Sequence, residues 1–123
     1  MKVLVVDDSS IMRRLLVKCL NRDGYSDTIQ AADGNEALEV LSKNKDVGLI
    51  LADWCMPNMD GFKLLKEIRN NRKTKKIPVI MVTTMREKNS VVKALQSGVS
   101  GYVVKPFTIK LISEKIKEVM GQK

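Results

Sequence analysis

The chain has 123 residues, 44% of them hydrophobic and 29% charged, with a formal net charge of +8. That is one ordinary domain with apolar content enough for a core, which argues against long disorder and against a second domain. No apolar run reaches the roughly 18–20 residues that span a bilayer, acid at Asp7 excludes a signal peptide, two cysteines make no disulfide framework and point to a reducing, cytoplasmic setting, and the absence of histidine removes Ser-His-Asp triads, Cys-His dyads and His-based zinc sites.

Short apolar runs alternate with helical patterns. Residues Lys2–Val6 (KVLVV) read as a strand. Ile11, Met12, Leu15, Leu16, Cys19 and Leu20 repeat at helical spacing behind the cap candidates Ser9 and Ser10, and Gly24 stops that helix. Thr28–Ala32 is a weak strand, and Ala37, Leu38 and Leu41 mark a short helix. Val47–Ala52 (VGLILA) is continuously apolar, as a strand covered on both faces should be. Pro57, Asn58, Asp60 and Gly61 form a loop, and Phe62, Leu64, Leu65 and Ile68 begin a helix. Pro78–Val82 is a fourth strand. Val91, Val92, Ala94 and Leu95 belong to a fourth helix stopped by Gly98, Gly101–Val104 is the fifth strand, and Thr108 caps a last helix through Ile109, Leu111, Ile112, Ile116 and Val119. Five strand–helix units in this order predict an α/β domain over 1–123, a parallel sheet with helices on both faces, and no effector domain.

The polar residues that stand out fall at strand ends: Asp7 and Asp8 after the first, Asp53 after the third, Thr83 and Thr84 at the fourth, Lys105 after the fifth. Ligands of open parallel sheets bind beyond these carboxyl ends. If the first and third strands are neighbours, Asp7, Asp8 and Asp53 converge, and three close carboxylates call for a cation. An all-oxygen acidic set suits Mg²⁺.

The set Asp7-Asp8, Asp53, Thr83 and Lys105-Pro106, with the stretches DWCMPNMDG (53–61) and SGYVVKPFT (100–108), resembles the receiver domains of bacterial two-component response regulators, and in particular the single-domain chemotaxis regulators. The resemblance covers essentially the whole chain. It implies a flavodoxin-like fold with strand order 2-1-3-4-5 and a cis Lys105–Pro106 bond that turns the lysine towards the site. It implies that Asp53 is the phosphoacceptor, that Asp8, Asp53 and the Cys55 backbone carbonyl bind Mg²⁺ directly, and that Asp7 acts through a metal-bound water. Lys105 and the Thr83 hydroxyl would hold phosphoryl oxygens, and Thr83 and Tyr102 would form the switch. Output would pass through the fourth helix, fifth strand and last helix, with Lys88, Tyr102 and Lys115 as contacts. Cys55 and Met85 stand where the chemotaxis pattern has an amide and an acid. Neither positions an attacking water well, so slow self-dephosphorylation is expected.

The implied partners are a histidine kinase and a flagellar motor switch protein, with a phosphatase also admitted; the chain would be a cytoplasmic, mostly monomeric switch and not an enzyme. Two other readings are a phosphorelay shuttle or phosphate sink, and a Mg²⁺-dependent phosphohydrolase, for whose substrate cap the chain has no room. The basic run 63–76 carries no interleaved aromatic residue, which argues against nucleic acid and for a solvated face or an acidic docking partner. Trp54 is expected to be partly exposed beside Asp53, Cys19 to be inert core, Met12, Met81 and Met120 to fill the core, and Phe107 to pack where the last helix begins.

Overall fold

The runs rich in Val, Ile and Leu form the expected strands, and among the described residues the first, second, third and fifth each lead into an amphipathic helix. The computed structural model describes residues 1–54, 56, 58–84, 92, 93 and 95–121. Its elements are β1 (Lys2–Val6), α1 (Ser10–Arg22), β2 (Thr28–Ala31), α2 (Gly34–Lys43), β3 (Val47–Ala52), α3 (Gly61–Arg69), β4 (Val79–Thr83), β5 (Gly101–Val104) and α4 (Ile109–Met120). The five strands are all parallel, in the order β2-β1-β3-β4-β5. This is the flavodoxin-like arrangement, with its switch point where β1 lies beside β3. Of the fourth predicted helix, Val92, Lys93, Leu95 and Gln96 have helical backbone, while Val91 and Ala94 lie outside the described residues.

Period-two alternation assigns the side chains of each strand to two layers. Leu4, Val6, Ile50, Ala52 and Met81 pack with Ala37 and Leu41 of α2 and Leu64, Leu65 and Ile68 of α3. Val3, Val5, Leu49, Leu51, Ile80, Val82 and Val103 pack with Leu16, Cys19 and Leu20 of α1 and Ile112 and Ile116 of α4. With both faces covered, the central strands need apolar residues at every position, which explains their unbroken runs.

Each of helices α1–α4 opens on a side-chain cap. Ser9, Asp33, Asp60 and Thr108 accept from the backbone N–H of Met12, Glu36, Lys63 and Leu111, three residues on. Behind α1, Gly24 takes φ +91°, a left-handed conformation that glycine adopts without penalty.

The structure corrects several details. β4 runs one residue later than expected, because Pro78 has no N–H for the ladder and stands just before the strand; Thr83 is therefore inside β4. β2 stops at Ala31. The apolar stripe of α1 is wider than its buried face: Ile11 is 76% exposed. Met81 is fully buried, and Met12, Met120 and Phe107 pack against the α1/α4 layer.

Candidate functional site

Two adjacent strands deliver the acids. The Asp53 N–H donates to the Val6 carbonyl (3.0 Å) and the Asp7 N–H to the Ala31 carbonyl (3.1 Å), so both acids follow directly from the sheet at its switch point. Carboxylate oxygens of Asp7, Asp8 and Asp53 lie within 4.8 Å of one another, with Asp8 on the exposed side. Lys105, after a fifth strand that is distant in the chain, closes the cluster. Its Nζ lies 2.8 Å from Asp7 Oδ2 and 3.1 Å from Asp53 Oδ2. The Lys105 N–H donates to the Thr83 carbonyl (2.8 Å), which carries the β4–β5 pairing one step past the strands and sets Thr83, wholly buried, next to Lys105. The Lys105–Pro106 bond is cis, as the resemblance implied.

Burial of Asp7 is nearly complete, at 1% exposure. It pushes the Asp7 carboxyl above its usual range, although hydrogen bonds from Lys105 and the Ser9 N–H oppose the shift. Burial pulls the Lys105 ammonium down, but its hydrogen bond to Asp7 and the charges of Asp53 and Asp7 outweigh that and leave it raised. The pair thus holds its lysine charged while the acid remains uncomfortable in its ionised form. Because the folded state binds the Asp7 proton more tightly than the unfolded chain does, ionised Asp7 weakens the fold at pH 7, and that penalty disappears below about pH 4. Asp7→Asn is therefore expected to raise the melting temperature by a few degrees at pH 7, with the gain shrinking as the pH is lowered; thermal melts from pH 4 to 8 measure it.

The donor set is hard oxygen alone, crowded and anionic, which fits a divalent cation of the Mg²⁺ type. The charge of Lys105 offsets only part of it. Sequence reasoning named all four of these side chains. It missed two supports. Arg13 of α1 donates from Nη1 to the Asp7 carbonyl (2.6 Å) and from Nε to Gln30 Oε1 (3.0 Å), which braces the Asp7 loop against β2. Gly61 donates its N–H to the Trp54 carbonyl (2.7 Å) and lies so close that a Cβ there would overlap the Asp53 carbonyl oxygen. Asp60-Gly61 was legible as a loop, and its placement before an apolar helical pattern was also the signal for a helix cap.

Trp54 corrects the sequence reading. It is 7% exposed and belongs to the α2/α3 core layer, with its ring 5.4 Å from Phe62 at an interplanar angle of 27°. The ammonium of Lys93 lies 4.1 Å from the Phe62 centroid and that of Lys66 5.3 Å. Tyr102 is half-buried in β5, paired in register with Met81 and packed against the same layer. Lys115 pairs with Glu118 at 3.2 Å and its stem covers Gly101. Cys19 is buried in the α1/α4 layer, and burial pushes its thiol up, which keeps it inert. Cys55, Met85 and Lys88 lie outside the described residues.

A parallel 2-1-3-4-5 sheet with an acid cluster at its switch point and a lysine after the fifth strand is the arrangement that the resemblance to receiver domains implied. The model of the response regulator receiver domain matches residues 3–117, and the chain belongs to that family. It is 47% identical over 121 residues to a chemotaxis protein CheY homolog of Campylobacter jejuni, covering 98% of this chain and 93% of that protein. Chemotaxis protein CheY1 of Helicobacter pylori is also 47% identical, with 98% of each chain covered. Among solved structures, CheY4 of Vibrio cholerae superposes with a TM-score of 0.88 at 34% identity, over 96% of this chain and 97% of that one.

Proposed function

We propose that the chain is a phosphorylation-dependent signalling switch that takes a phosphoryl group from a histidine kinase onto Asp53 and reports it in chemotaxis. The carrying observation is the Lys105 ammonium spanning Asp7 and Asp53 inside a three-carboxylate cluster. An Asp53 carboxylate oxygen attacks the phosphorus of a phosphohistidine, the P–N bond breaks, the imidazole leaves, and an acyl phosphate forms. Such transfer asks little covalent work of the protein; positioning and charge neutralisation dominate. Lys105 supplies one fixed positive charge for a phosphoryl oxygen, and the Thr83 hydroxyl donates to another. As the resemblance implies, Asp8, Asp53 and the Cys55 carbonyl would hold Mg²⁺ directly and Asp7 through water, and the bound ion would supply the remaining neutralisation. In this reading Tyr102, which packs against the layer that contains Trp54, responds as Thr83 is drawn to the phosphate, which biases one equilibrium between two states. The described site residues lie at strand ends, which suits a switch read by docked proteins in the cytoplasm.

The names of the 47% identical relatives point to chemotaxis, and the family resemblance implies the flagellar motor switch as the receiver of the signal. Binding of a peptide from a motor switch protein, followed through Trp54 fluorescence with and without beryllofluoride, tests this. Beryllofluoride should tighten binding by about tenfold or more, in line with typical coupling energies. Unchanged affinity would overturn the motor output and leave the phosphorelay or sink reading of the same chemistry.

A further inference from the structure

At the opposite end of the sheet, a groove of about 1230 Å³ opens between α2, α3 and the loop 70–77 that leads into β4. Six residues of β3 at about 3.3 Å each put roughly 20 Å between this end and the acid cluster. Leu38 and Leu41, one helical turn apart on α2, form its floor with Ile77, and Lys45, Arg72 and Lys73 stand on its rim. None of these three cations forms an ion pair among the described residues, and the groove's one acidic lining residue, Glu67, leaves its charge positive.

The loop that carries Arg72 and Lys73 is already fixed. Thr74 Oγ1 donates to the Ile68 carbonyl (2.7 Å), and the Lys73 N–H donates to Asn71 Oδ1 (2.9 Å). Arg69, half-buried, fastens the same loop to the approach of β5 by donating to the carbonyls of Ile77 (2.7 Å), Lys75 (3.2 Å) and Gly98 (2.9 Å). Thr74 and Asn44 occupy carbonyls at the ends of α3 and α2, which blunts the negative poles of both helices at the groove. A preformed wall removes much of the ordering cost of binding.

We infer that this groove docks an acidic amphipathic helix of a partner protein, its leucine-like side chains on Leu38, Leu41 and Ile77 and its carboxylates on Lys45, Arg72 and Lys73. The combination of apolar floor and cationic rim matches a helix laid in a groove, and the volume exceeds the roughly 300–1,000 Å³ of small-molecule sites. Among the described residues no aromatic side chain lines the groove for base stacking, so single-stranded nucleic acid fits less well. The surface is independent of the phosphorylation chemistry: it would hold a partner at the end of the molecule remote from Asp53.

The test is an amide NMR titration of the full chain with a short peptide of glutamates carrying leucines at helical spacing. Shifts should concentrate in residues 38–45 and 67–77, and the K45E/R72E/K73E variant should weaken binding by about tenfold or more. The variant should still be phosphorylated by acetyl phosphate, which shows that it is folded. Shifts scattered over the surface, equal affinity for the charge-reversed variant, no binding of the peptide, or equally tight binding of an all-glutamate peptide or a single-stranded oligonucleotide would each overturn the inference.

Discussion

Lys105→Ala is expected to lower stability by about 3–5 kcal/mol at pH 7 in the absence of divalent cations, the range for removing one partner of a buried ion pair. The ammonium lies 2.8 Å from Asp7 and 3.1 Å from Asp53, and its side chain is only 13% exposed. Its removal leaves carboxylates facing one another in a site that burial already makes hostile to charge. Lys105 has a raised pKa in the fold, so its contribution is fully present below about pH 10.5 and is lost as the pH rises through that raised value. The gap between variant and wild type should therefore stay wide across neutral pH and narrow in two directions: in alkali, and in acid as the Asp7 carboxyl takes a proton. Denaturant melts at several pH values give the profile. In phosphorylation assays the same variant should lose about a hundredfold in rate, the usual consequence of deleting one preorganised charge-stabilising donor. A variant as stable and as readily phosphorylated as wild type would show the lysine to be incidental.

Gly61→Ala should be nearly as damaging, for a steric reason. A Cβ at this position overlaps the Asp53 carbonyl oxygen and falls 2.7 Å from the Trp54 Cα. These are backbone atoms, tied to α3 by the Gly61 N–H bond to Trp54 and to β1 by the Asp53 N–H bond to Val6. Relief requires the start of α3 to move off the sheet, at about 1–3 kcal/mol for overpacking of this kind. Because the clash is with Asp53 itself, phosphorylation should fall together with stability, and Trp54 emission should shift as its packing on Phe62 loosens. By contrast Gly24, with open space around it, should affect stability alone.

The order of elements was legible because the signals are local. Buried parallel strands must be apolar throughout, and Val47–Ala52 could be little else; helix caps and glycine stops lie within a few residues of the boundaries they set. The acid and lysine positions were legible because they fall at the ends of those strands. Their convergence was not, since the β1–β3 adjacency pairs residues some 45 positions apart, and only the resemblance to receiver domains supplied it. What sequence reasoning missed is non-local packing. Trp54 was read as partly exposed because it stands beside Asp53 just before the turn-forming Pro57 and Asn58, yet α3, with Phe62, covers it. Arg13 and Arg69 carry no motif; each earns its place through backbone carbonyls that only the fold brings within reach. Ile11 and Leu15 fit the helical spacing of α1 but extend beyond the width of its buried face, a distinction that periodicity alone does not draw.

The central claim is that Asp53 accepts phosphate in the acid cluster. Intact mass after incubation with acetyl phosphate, with and without Mg²⁺, for wild type and Asp53→Asn, tests it most directly. The account predicts one added phosphoryl group on wild type, dependent on Mg²⁺ and absent from the variant. An adduct that persists in Asp53→Asn, or one that forms equally well without Mg²⁺, would contradict it.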